Sequence, residues 1–436
     1  MFFRRLRELE RERGALLLLG MTALQIATLV VRAAKLGPPS HEIVGVVLLI
    51  SALACALAIA LPEAAIEPLR TAARSAAATP MRAALVLASV TLVVLVTNVF
   101  VQQPNAWDER GLLTAAPVIA SRGFSGFSEA YKGNAWLGPQ HPPLPALVHA
   151  AVWALGGKNV VAMRMIAVAF GCGAVLSVFG IGARLYGSRT GLLMAGLLLT
   201  SPLLVRITSA VTNDAPLLFF FCLAILLGLR LLDGPTDRRA IALGLVVGLG
   251  LLTKYTMILV YPVLIVLPWV GGIPSRPWRL LAIVLAVSLS MLGLWLLAAQ
   301  QMGVLGQQSR NIEHLAGDAT RDPRYILHGM LVRLPSAVGI FALPVILLGL
   351  VRCMRFERRA DALILVWLVA IVVPLMATLP LNRFFLPAFP TFSAAMALAI
   401  EDRPASAPRV VLLLGALCEA TLIYYGWVDL RIPLGF

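Results

Sequence analysis

Residues 83–123 read AALVLASVTLVVLVTNVFVQQPNAWDERGLLTAAPVIASRG. The first part, 83–101, carries no charged side chain and matches the roughly 20 apolar residues that cross a bilayer core. Hydrocarbon offers no partner for free N–H and C=O groups, so such a run must be helical. The chain then turns polar, and Asp108 and Glu109 follow as adjacent carboxylates just beyond the span. GLLTAAPVIA after them is small and apolar, suited to packing against the membrane. An acid held there is partly desolvated, which raises its pKa toward the range useful for a general base.

The same pattern fills the chain. Of 436 residues, 60% are hydrophobic and 13% charged, far from the roughly 25% charge of a soluble domain. Candidate spans are 14–33, 43–61, 83–101, 159–183, 190–206, 215–232, 239–253, 255–271, 280–298, 329–350, 361–379, 384–400 and 409–426. The fold class is therefore an all-α polytopic membrane protein of about 11–13 transmembrane helices. Residues 239–271 are too long for one span and short for two; Lys254 in the middle favours two helices with the lysine at their turn. Residues 1–82 are read as two N-terminal spans with a cytoplasmic loop, and 83–436 as the main transmembrane domain, with no separate soluble domain. The apolar run after the charged MFFRRLRELERER is too long for a signal-peptide core and reads as a retained first span.

The net charge of +15 sits largely in short loops between apolar runs, which argues against a nucleic-acid partner. With the N-terminus inside, the inner loops hold Arg184 and Arg189, Arg238 and Arg239, Arg276 and Arg279, and Arg352, Arg355, Arg358 and Arg359. The short outer loops hold far fewer, as the positive-inside rule requires. This implies a multi-pass protein of the inner (plasma) membrane. Two outer loops are long and polar, 102–158 and 300–328. Within the first, PPLPALVHAAVWALGG is apolar but too short to span, and reads as an interface helix. Cys55, Cys172, Cys222, Cys353 and Cys418 all lie in or beside apolar runs without metal-type spacing.

The remaining candidates for chemistry share the outer side. His141 in GPQHPPLP precedes two prolines, which force extended backbone and hold it in place. Asp214 in SAVTNDAPLL stands at a span's outer end, where it serves either as a helix start or as a substrate contact. Lys254 in GLLTKYT and Arg383 in LPLNRFFLPAFP either anchor helices at the interface or meet a phosphate. All five histidines fall on this side, which allows a divalent metal, though no ligand spacing supports one.

Taken in order, the acidic pair after a span, HPPL, NDAP, LTK and RFFLPAFP resemble the GT-C membrane glycosyltransferases over roughly 108–400. The nearest branch is the protein O-mannosyltransferase and lipid A aminoarabinose transferase type. The resemblance implies a GT-C helical bundle, with interface helices in the first outer loop. It implies inverting transfer of a sugar from a polyprenyl-phosphate donor to an acceptor hydroxyl on a lipid, glycan or protein, at the extracytoplasmic membrane face. It places the catalytic acid at Asp108 with Glu109 as the second of the pair, and substrate-binding groups at His141, Asp214, Lys254 and Arg383. Two spans precede the one leading into the acidic loop, where relatives usually have none, and the large C-terminal outer domain of many relatives is lacking.

Two other classes stay open on the sequence. A lipid-linked sugar flippase or transporter would place its ionisable groups nearer the bilayer midplane, at interrupted helices. A surface polysaccharide ligase or polymerase would rely more on basic residues than on an acidic pair.

Overall fold

The computed structural model describes residues 79–101, 108–134, 137–271, 277–306, 342–377 and 382–401, with Glu67, Thr71 and Val338 besides. The expected spans 14–33, 43–61 and 409–426, most of 329–350 before residue 342, and loop 300–328 from residue 307 onward lie outside the described residues. The described part is all helical, and six of its helices are long and apolar enough to cross a membrane. It is a multi-pass membrane protein.

Helix α1 (Pro80–Val101) opens on proline, whose missing N–H costs nothing at a helix start. Its polar Thr97 and Asn98 return their side chains to the carbonyls of Val93 and Val94, at 2.9 and 2.8 Å, so the span leaves neither exposed to lipid unbonded. Three helices fill the stretch after α1: α2 (Asp108–Gly133), α3 (Leu137–Gln140) and α4 (Leu144–Ala154). The expected interface helix is α4. Glycine at 123 adopts φ 57°, ψ −128°, and kinks α2 there. Helix α5 (Val160–Tyr186) starts where the Asn159 side chain accepts from the amide of Ala162 at 2.8 Å.

The expected span 190–206 is instead two pieces, α6 (Ser188–Leu198) and α7 (Pro202–Ile207). Proline at 202 holds Ser201 extended (φ −82°, ψ 116°), and the Ser201 hydroxyl caps the second piece at Leu204. Helices α5 and α6 form a hairpin so tight that a methyl on Gly191 would fall 2.5 Å from the Ala183 amide nitrogen.

Helix α8 (Asp214–Asp233) follows, then α9 (Asp237–Leu251), capped by Thr236. The 239–271 stretch divides where expected. Lys254 is extended (φ −160°, ψ 134°) between α9 and a 3₁₀ turn (Tyr255–Leu259) that leads into α10 (Val260–Gly271). Helix α11 (Pro277–Gln301) packs along α9, and α12 (Ala342–Cys353), α13 (Arg359–Ala377), a 3₁₀ turn (Asn382–Ala388) and α14 (Phe389–Glu401) complete the bundle. Helix α8 is central, with 72% of its apolar window buried; α11 has only 22% buried.

One end of the bundle gathers Arg184–Asp233 and Arg279–Asp237 pairs, Glu401 between Arg352 and Arg358 at 3.5 and 3.3 Å, and the Tyr186 hydroxyl on Asp361 at 3.1 Å. These all come from loops read as sharing one side. The acids and bases singled out for chemistry occupy the other end. Cys172, Cys222 and Cys353 are free thiols; Cys55 and Cys418 lie outside the described residues.

Candidate functional site

Asp108 is the first residue of α2, and its side chain lies outside the described residues. Glu109 next to it is wholly buried. Its carboxylate accepts a two-pronged bond from the Arg164 guanidinium, at 2.8 Å from Nε and 3.0 Å from Nη2. The third prong, Nη1, donates to the Val99 carbonyl in the last turn of α1 at 2.9 Å. The Val211 amide reaches Glu109 Oε1 at 3.5 Å. One ion pair thus ties α1, α2, α5 and the turn before α8 together. Planar fork geometry with added hydrogen bonds is what makes a buried pair tolerable in a low dielectric.

His141 is held from both sides. Tyr131, fully buried near the end of α2, donates its hydroxyl to the Pro142 carbonyl at 2.9 Å. Its ring packs edge-on against Trp295 of α11 (centroids 5.4 Å), and the Trp295 indole N–H donates to the Tyr255 hydroxyl at 2.9 Å. The Leu144 amide, just past the two prolines, donates to the Leu252 carbonyl at 2.9 Å. The HPPL segment is therefore fixed to the turn that carries Lys254. His141 is 7% exposed, and its pKa is lowered well below the ordinary histidine value, first by burial, then by the positive charges of Lys254 and Arg383. The Asp214 carboxylate opposes this shift without reversing it. Burial and the two nearby cations thus both favour the uncharged imidazole.

Asp214 starts α8 but spends its carboxylate across the bundle. Oδ1 lies 2.5 Å from Lys254 Nζ, and Oδ2 lies 3.9 Å from Arg383 Nε. The Lys254 ammonium stands 4.1 Å from the centre of the Phe384 ring, and the Arg383 guanidinium 5.6 Å from the same ring. Arg383 sits on the 3₁₀ turn, which Trp367 pins by donating its indole N–H to the Pro387 carbonyl at 2.8 Å. All three charged groups are at most 8% exposed. His141, Asp214, Lys254 and Arg383, from four separated stretches, thus converge at one end of the bundle. Glu109 does not join them; it faces Arg164.

Asn213 precedes Asp214 at the N-cap position. Asparagine is among the best capping residues, yet its backbone is helical here (φ −80°, ψ −12°) and its side chain caps nothing. It is 1% exposed, and neither Nδ2 nor Oδ1 has a hydrogen-bond partner. A buried polar group left this way costs on the order of 1–3 kcal/mol. Among the described residues no group of three or more His, Cys, Asp or Glu is arranged to hold a metal ion.

Arg164, Tyr131 and Asn213 escape a reading of the sequence. The only signal for Arg164 is a guanidinium inside an otherwise apolar stretch, VVAMRMIAVAF. Tyr131 acts through a carbonyl, which no motif marks. Asn213 carries no signal of its own beside the helix start read at Asp214.

A family model described as dolichyl-phosphate-mannose-protein mannosyltransferase matches residues 140–295. No curated protein sequence matches the chain. The crystal structure of ArnT from Cupriavidus metallidurans in the apo state is similar with a TM-score of 0.58 at 15% identity, covering 79% of this chain and 75% of that one. The same protein bound to undecaprenyl phosphate gives 0.52 at 18% identity, covering 73% of this chain and 60% of that one. The Archaeoglobus fulgidus oligosaccharyltransferase in complex with Zn and sulfate gives 0.52 at 15% identity, covering 78% and 53%. This chain therefore spans between about half and three quarters of the length of these structures, whose identity to it supports likeness of fold.

Proposed function

We propose, for a chain built on the GT-C fold of membrane glycosyltransferases, that it moves a sugar from a polyprenyl-phosphate carrier to an acceptor hydroxyl at the extracytoplasmic face of the inner membrane. The observation that carries this is the meeting of Lys254 and Arg383 at Asp214, at one end of a membrane bundle. Two buried cations fixed by a carboxylate and an aromatic wall form a preorganised seat for an anion. Their cost of ordering is met before the ligand arrives. The similar fold of ArnT is known with undecaprenyl phosphate bound, which agrees with an anionic lipid headgroup as the ligand.

In this reading the acceptor oxygen attacks the anomeric carbon while the carrier phosphate leaves with the bonding electron pair. The configuration inverts. The acceptor proton passes to Asp108 at the start of α2. Glu109 is committed to Arg164 and so positions its neighbour rather than acting as the base. Lys254 and Arg383 stabilise the departing phosphate, which needs charge compensation more than a proton. Neutral His141 adds no further positive charge at that seat and offers a hydrogen-bonding nitrogen.

Incubating the purified protein in liposomes with radiolabelled polyprenyl-phosphate sugars tests the reading. Expected is carrier binding, and label transfer to an acceptor or to water, lost when Lys254 and Arg383 are both replaced by Ala. Carrier movement across the bilayer without cleavage of the sugar would replace the transferase reading with a flippase. No binding of any carrier would remove it.

A further inference from the structure

We infer that Asn213 reads hydroxyl groups of the donor's sugar. The inference rests on the transferase reading above and deepens it. Asn213 is buried, stands one residue before Asp214 on the first turn of α8, and makes no cap, and its amide nitrogen and oxygen have no hydrogen-bond partner. Buried side-chain amides are almost always bonded, so a fully spare one beside a convergent charged cluster indicates a missing partner. The chemistry of that partner follows from the amide itself. A carboxamide offers two N–H donors and one acceptor oxygen. A phosphate diester only accepts, so it could pair with the N–H groups but would leave the amide oxygen unmatched. A sugar hydroxyl both donates and accepts, so a pair of neighbouring hydroxyls matches both halves of the group.

Placement selects the donor's sugar over the acceptor's hydroxyl. Asp214, the next residue, holds Lys254 at 2.5 Å and has Arg383 at 3.9 Å, where the carrier phosphate is proposed to sit. The sugar is bonded directly to that phosphate and lies within the same few ångströms. The charged pair would then recognise what every carrier shares, and the neutral amide what distinguishes one loaded carrier from another.

The test compares binding of undecaprenyl phosphate with binding of its mannosyl, glucosyl and aminoarabinosyl esters, to wild type and to Asn213→Ala. Expected is a wild-type preference for at least one ester over the bare carrier. Asn213→Ala is expected to erase about 5- to 10-fold of it, the worth of one or two neutral hydrogen bonds, while binding of the bare carrier holds. The substrate-free variant is expected to melt at or above the wild-type temperature, since it loses an unbonded buried amide. If Asn213→Ala does not fold, Asn213→Ser, a good cap residue, carries the same comparison. A wild type that binds bare and loaded carriers alike overturns the inference and leaves the transferase reading standing. So does a variant that melts lower yet keeps the preference, which would make Asn213 a structural residue. A wild type that binds none of the probes overturns both.

Discussion

The Lys254 ammonium and the Asp214 carboxylate, 40 positions apart in the chain, lie 2.5 Å from each other with 10% and 1% side-chain exposure. Removing Lys254 leaves Asp214 only the more distant Arg383 (3.9 Å), and removing Asp214 leaves two buried cations without their shared carboxylate; loss of one partner of a buried pair costs about 3–5 kcal/mol. Lys254→Ala and Asp214→Asn should therefore each lower the thermal midpoint in detergent strongly. The double variant should lose less than the sum, because both single variants break the same Lys254–Asp214 pair. Additive losses would show that the two groups do not depend on each other.

Asp108 and Glu109 are adjacent in the sequence and should separate in the laboratory. Asp108→Asn is expected to lower turnover about 10²–10⁴-fold with carrier binding retained, as loss of a general base does. Glu109→Gln should act first on stability, through the Arg164 fork. Arg164→Lys should lose stability as well despite keeping the charge, since an ammonium cannot make two parallel bonds and also reach the Val99 carbonyl. Label transfer and melting, measured side by side on the three variants, decide this. Full turnover in Asp108→Asn removes Asp108 from the chemistry.

His141 predicts a pH dependence with a definite sign. Its folded-state pKa is lowered, chiefly by burial, while in the unfolded chain it is about 6.5. The unfolded state therefore takes up the proton first on acidification. Its contribution to stability is fully present above pH about 6.5 and is lost as pH falls from there toward the lowered folded value. Melting temperature should drop between pH 7 and 5 in wild type and drop less in His141→Asn. Equal drops would show that other groups govern acid stability.

Tyr131→Phe deletes only the hydroxyl that holds the Pro142 carbonyl. A stability loss of about 0.5–1.5 kcal/mol is expected, more if the carbonyl stays buried and unbonded. Because the bond also fixes His141, activity should fall further than melting alone explains. Intact activity would show that the aromatic packing on Trp295 suffices.

Gly191→Ala tests the α5–α6 hairpin. The added methyl meets backbone rather than a movable side chain, so the helices must part, at about 1–3 kcal/mol. A melting curve unchanged from wild type would refute the close crossing.

Much of the fold was legible because lipid reduces the problem to counting apolar runs. Residues 83–101, 159–183 and 215–232 each became one helix, and Lys254 marked the division of 239–271 because an ammonium is unwelcome within hydrocarbon. The break at Ser201–Pro202 was not legible, since apolar residues continue on both sides and only a single proline signals it. Between α1 and α5, the helix over 144–154 could be read from its apolar character, whereas the packing of Tyr131 on Trp295 joins residues far apart in sequence. The nearness of His141, Asp214, Lys254 and Arg383 could be suspected from motif order, but distance is not a property of order. Glu109 looked equivalent to Asp108 until its counter-ion was visible in another helix.

The pairing of Glu109 with Arg164 also constrains how the chain is assembled. The carboxylate is synthesised 55 residues ahead of the guanidinium that neutralises it. During that interval neither a dry interior nor lipid is a hospitable place for it. Until α5 arrives, that carboxyl is either solvated or held protonated, since an isolated charge is too costly in either place. The ionised pair can enter a dry interior as a charge-neutral unit only after α5 has been made, so the Glu109 contact cannot precede synthesis of Arg164.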